Sequence, residues 1–201
     1  VTRASALVIV AWGVLLAGVL AWPALGMTSD PGDTLIRYTI RLSLAYYALA
    51  TGLMLFLAPA EWDGFGRGAL ARWSWTLAWA TYVIHVAVAF HFYHHWSHAD
   101  AFRHTEEVSG FGPGIYVSHL FTLLWTCDVA WWWLWPQRYA ARPPWIGRSL
   151  HTFMAFIIFN GTVVYETGPV RWAGAAMFLL LGTLWLYSRI NRPPRAAVEQ
   201  I

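Results

Sequence analysis

Lysine is absent from this chain, cysteine occurs once, and charged side chains make up only 11% of its 201 residues. A soluble domain carries roughly 25% charged residues, so a chain this poor in charge cannot clothe a water-facing surface. The lone Cys127 excludes an internal disulfide and any cysteine-rich zinc or iron–sulfur site. With no lysine, the net charge of +3 rests on arginine alone. That balance is too small to point to a nucleic-acid partner.

Apolar residues make up 58% of the chain, and apolar runs near the length of a bilayer crossing recur throughout. They predict an all-α polytopic membrane protein, a single domain over 1–201. Six transmembrane helices are expected, at about 4–27, 42–60, 70–93, 115–135, 146–165 and 170–188. The first is expected to be a retained anchor, being longer than a signal-peptide core. The third is expected to stay helical through His98. The polar stretch 99–108 and the Gly/Pro run after it are expected to be loop.

Six crossings put both termini on one side. Nine arginines fall there: Arg3, Arg67, Arg72, Arg138, Arg142, Arg148, Arg189, Arg192 and Arg195. Four fall on the other: Arg37, Arg41, Arg103 and Arg171. The positive-inside rule then predicts cytoplasmic termini in a bacterial inner membrane. The 15 tryptophans, including Trp73, Trp75, Trp96, Trp131–Trp133 and Trp172, are expected mainly in the interfacial belts.

Six histidines lie between His91 and His119. On a continuous helix His91, His94, His95 and His98 would share one stripe, at the periplasmic end of the third span. His119 would enter on the fourth. With His104 these form a candidate metal set, and Asp100, Glu106 and Glu107 are candidate supports for the ligands. Imidazole with carboxylate suits Fe, Cu or Zn. Haem is the other cofactor option, with His85 or His91 opposite His119. His85 on its own reads as an interhelical hydrogen-bonding residue.

The run His91-Phe92-Tyr93-His94-His95 resembles one histidine box of the membrane fatty-acid desaturases and hydroxylases. That resemblance implies a di-iron lipid oxidase, a family that uses three boxes, and the other two are missing here. Asp100, His104 and His119 resemble in spacing the Asp/His/His copper site of membrane monooxygenases. Deeper in the bilayer, Asp128 is expected to pair with His151, as a structural bond or a proton relay.

Two functions follow from these residues. One is a metal- or haem-binding membrane protein, an oxidoreductase or electron-transfer subunit. The other is a structural or accessory subunit that packs its aromatic surface against other membrane subunits. The lipid bilayer is a partner in both.

Overall fold

The computed structural model describes residues 2–191, and all regular structure among them is helical. Helix α1 (Arg3–Ala24) is followed by α2 (Pro31–Met54), a 3-10 turn (Pro59–Asp63), α3 (Arg67–Phe92) and α4 (His98–Ser109). Then come α5 (Gly114–Leu134), the short α6 (Pro136–Ala140), α7 (Pro144–Phe159) running on into a π-helical turn (Asn160–Val164), and α8 (Gly168–Ile190). Arg192 and Arg195, used in the topology reading, lie outside the described residues.

Three helices, α1, α3 and α8, are long and apolar enough to cross a membrane, where six were expected. The other three fall short for visible reasons. α2 carries Asp33, Arg37 and Arg41. α5 carries His119, Asp128 and four tryptophans. α7 is regularly α-helical for only 16 residues before its hydrogen-bonding pattern widens.

The start of α2 differs most from expectation. It begins at Pro31 rather than near residue 42, because Asp30 caps it. The Asp30 carboxylate accepts from the Asp33 backbone N–H at 2.9 Å, and Pro31 occupies the first turn, where its missing N–H costs nothing. Arg37 then pairs with Asp33 one turn back. Arg37 and Arg41, read as loop residues from the sequence, therefore sit inside a helix.

Polar side chains fix how the helices pack. Ser43 donates to the Ala78 carbonyl at 2.8 Å, and His85 Nδ1 lies 3.1 Å from the Ile36 carbonyl. These two contacts set α2 antiparallel to α3, and they bear out His85 as an interhelical residue. Tyr46 reaches the Val8 carbonyl of α1 at 3.1 Å. Indole N–H groups supply most of the remaining cross-links. Trp12 donates to Thr81 at 2.7 Å, Trp79 to Thr126 at 2.9 Å and Trp133 to Thr76 at 2.8 Å. The last two hold α5 antiparallel to α3.

Several tryptophans expected at the interface are therefore core residues. Trp75, Trp125 and Trp132 are fully buried. Trp75 and Trp125 pack with Tyr47, while Trp132, Trp62 and Tyr139 form a three-ring cluster. Trp96 and Trp172 remain exposed, as a belt requires.

Asp128 does not hydrogen-bond His151. Its Oδ2 accepts from Trp75 Nε1 at 2.9 Å and from the Tyr139 hydroxyl at 3.0 Å, and its Oδ1 accepts from Arg142 at 2.8 Å. The Arg142 and Asp128 side chains are only 8% and 4% exposed. The guanidinium also lies 3.6 Å from the centre of the Tyr139 ring. Burial, then the adjacent Asp128 carboxylate, push the Tyr139 phenol well above its ordinary range, so it stays a donor. His151 instead sets its ring edge-on to Trp75 at 5.2 Å, with both ring nitrogens buried and lacking a hydrogen-bond partner.

Breaking one side of a buried ion pair strands the other charge, at a cost of about 3–5 kcal/mol. Arg142→Met should lower stability by that order in detergent unfolding. Arg142→Met with Asp128→Asn should recover part of the loss. Equal loss in single and double variants would show that the charge pairing is not what matters.

Candidate functional site

The histidine stripe is broken in the structure. α3 ends at Phe92, and the chain then turns through two successive left-handed residues, His95 at φ 46° and Trp96 at φ 60°. Non-glycine residues enter that region rarely. Two backbone bonds close the turn, Trp96 N–H to the Phe90 carbonyl at 2.9 Å and Ser97 N–H to the His94 carbonyl at 2.7 Å. Ser97 then caps a new helix, its hydroxyl accepting from the Asp100 N–H at 3.2 Å. The stretch expected as loop is thus mostly α4, and His98 and His104 belong to it rather than to α3.

This reversal sorts the imidazoles into two pairs. The rings of His98 and His119 lie 5.1 Å apart, and those of His94 and His104 lie 5.4 Å apart. Phe90 stands among them, 5.2 Å from His94, 5.7 Å from His98 and 6.4 Å from His119. His94 is buried and its Nδ1 has no hydrogen-bond partner; the same holds for the buried Nε2 of His119.

The other candidates lie elsewhere. His91 is exposed and packs edge-on to Phe92 at 4.7 Å. His95 is exposed at the turn. The ring neighbours of His119 are Phe90, His98 and Tyr116; His85 lines the same cavity as His119 without ring contact to it. His104 stacks on Tyr93 at 5.8 Å and is not a ring neighbour of His119. Asp100 is committed to Arg103 and Ser97. The Glu106 and Glu107 side chains are exposed and make no ion pair among the described residues. Among the described residues, no group of three or more His, Cys, Asp or Glu is arranged to hold a metal ion.

Beneath the histidines lies a cavity of about 550 Å³. α2, α3 and α5 form three walls, and the π turn forms a fourth with Gly161 and Thr162. α8 seats against that turn through Gly174. A Cβ there would come within 2.8 Å of the Thr162 hydroxyl, so only glycine allows the approach. His85, His94 and His119 line the cavity, with Asp33, Arg37 and Glu166 toward the histidine end and Arg41 deeper. Tyr93 ties the end of α3 to the start of α2 by donating to Asp33 at 3.1 Å.

Sequence reasoning missed Arg41 and Phe90. Arg41 was hidden by the misplaced start of α2, although Asp30-Pro31 is an N-terminal helix signal. Phe90 gives no signal of its own. The chain matches no protein-family model, no curated protein and no solved structure, so the chemistry of the site rests on its own residues.

Burial, and then the neighbouring His104, hold the His94 imidazole below the ordinary histidine value of 6.5. Between the two values the unfolded chain binds the extra proton. His94 therefore costs stability as pH falls through about 6.5, and the loss levels off below the folded value. Thermal unfolding in detergent should weaken between pH 7.5 and 5.5, and His94→Gln should flatten that slope. An unchanged slope would assign the titration to another group.

Proposed function

We propose that this chain is an integral membrane protein of six crossings that binds a transition-metal ion through His98 and His119 at one rim of its bundle. α2 and α5, at 24 and 21 residues, have the length to span. The π turn extends α7 toward the same length. α4 then caps the rim rather than crossing. Arg37 and Arg41 lie inside α2, and the histidine side otherwise carries Arg103 on α4 and Arg171 in the first turn of α8. The arginine asymmetry favours cytoplasmic termini and a histidine rim facing outward.

The observation that carries the metal reading is the 5.1 Å separation of the His98 and His119 rings. Two imidazoles bound to one tetrahedral ion at about 2.0–2.1 Å per nitrogen place their ring centres about 5 Å apart. The unpartnered Nε2 of His119 is an unused donor atom beside the second ring. Two protein ligands leave coordination positions for water or an outside ligand. Zn, Cu and Fe all accept imidazole. Copper or iron would bring one-electron chemistry and zinc none, so the identity of the ion separates a redox role from the others.

Protein purified without chelator should carry metal in stoichiometric amount by elemental analysis. His98→Ala and His119→Ala should each reduce it at least tenfold, while His91→Ala and His95→Ala should retain it. Metal-free wild-type protein, or full retention in the His98/His119 double variant, would overturn the reading. Because imidazole must be neutral to bind, occupancy should fall as the pH is lowered.

A further inference from the structure

Arg41 is the least expected charge in the molecule. The contacts Ser43–Ala78 and His85–Ile36 fix the register of α2 on α3. They put Arg41 level with about Ala80, the middle of α3, which is long and apolar enough to span a membrane. By helical rise this is roughly 18 Å below Phe92. Arg41 is an exposed residue of the cavity lining, and from that backbone level its guanidinium leans over Tyr38 toward the Asp33 end of α2. The one acid on its helix, Asp33, is committed to Arg37. Among the described residues no carboxylate pairs with Arg41, and its close partner is the Tyr38 ring, 5.2 Å from the guanidinium. Arg142 shows how this protein treats a structural arginine: carboxylate, aromatic face and burial together.

An arginine whose backbone sits near mid-span is costly even when its guanidinium reaches toward the rim. Such residues face cavities and mark the paths or sites of ligands. The walls around Arg41 are mixed. Ile40, Leu44, Phe121 and Ile157 are apolar, and Tyr82 and Thr162 add hydroxyls. A cavity of about 550 Å³ falls within the roughly 300–1,000 Å³ range of single small-ligand sites. The π turn on the opposite wall is a feature frequent at functional sites.

We propose that this cavity binds a single-chain amphipathic anion, an apolar body bearing one carboxylate or phosphate, with the anionic group on Arg41. The cavity shares His119 with the imidazole pair at its upper wall, while Arg41 lies below on α2.

The test is calorimetric titration of the purified protein in a non-ionic maltoside detergent with dodecanoate, dodecyl phosphate and methyl dodecanoate. Both anions should bind, and the neutral ester should bind at least about tenfold more weakly. Arg41→Gln should weaken the anions by a similar factor, with Arg41→Lys intermediate. Gly161→Phe gives a second route. Gly161 lines the cavity and an added Cβ there meets nothing within 4 Å, so a ring is tolerated at the cavity wall with Arg41 intact, and binding should be weakened. Preference for dodecanoate would identify a fatty-acid-like ligand, and preference for dodecyl phosphate a lysolipid-like one; either supports the site. Chelator-treated protein should bind equally well, which keeps this result distinct from failure of the metal reading. Equal binding of the ester, full binding by Arg41→Gln, or loss of binding on metal removal would overturn the proposal.

Discussion

An indole N–H buried without an acceptor costs as much as a lost hydrogen bond; five of this chain's tryptophans meet that constraint with bonds between elements, and the buried Trp125 Nε1 is the one left without a partner among the described residues. Trp12, Trp75, Trp79, Trp132 and Trp133 each donate to an acceptor on a different element of the fold. Four of the five acceptors are side chains, three threonines and Asp128; Trp132 reaches the Trp62 carbonyl. Apolar packing alone is a weak guide between helices in lipid, because lipid tails are as apolar as leucine. A directional bond at each contact fixes depth and rotation. The cavity wall formed by α5 and the approach of α5 to the histidine rim depend on those bonds, while Ser43 and His85 set the register that places Arg41.

Much of this was legible from composition. Scarce charge and recurring apolar runs pointed to the helical class, and the histidine concentration marked the end of the bundle where the candidate site lies. Individual assignments failed where a local signal was outweighed. Asp30-Pro31 begins a helix, but Arg37 and Arg41 downstream made the stretch read as loop. Ser97 with Asp100 marks a helix start, but the spacing of His91, His94, His95 and His98 made one continuous helix look natural. The turn at His95 and Trp96 contains neither glycine nor proline, so nothing in the residue types announces it. The partner of Asp128 depends on how α6 folds back, and spacing along the chain does not encode that.

The histidine cluster illustrates why a pattern on a helical wheel is only conditional. The stripe presupposes an unbroken backbone. Once α3 stops at Phe92, neighbours in sequence become residents of different elements, and residues far apart, His98 and His119, become neighbours. Phe90 then acts as a divider. It keeps the two imidazole pairs from merging into one cluster and gives each its own surroundings, His94 buried and His98 exposed.

The widened turn at Asn160–Val164 has a consequence for how the sequence can change. A π turn amounts to one residue inserted into an α-helix, and it rotates everything that follows by about 100°. Deleting one residue there would leave an unbroken α-helix of good geometry. Yet Gly174 would lose its alignment with Thr162, and α8 could not nest. Variation in length should therefore be filtered at this point even where variation in side chain is not. A chain that shortened here would have to find a new seat for its last helix.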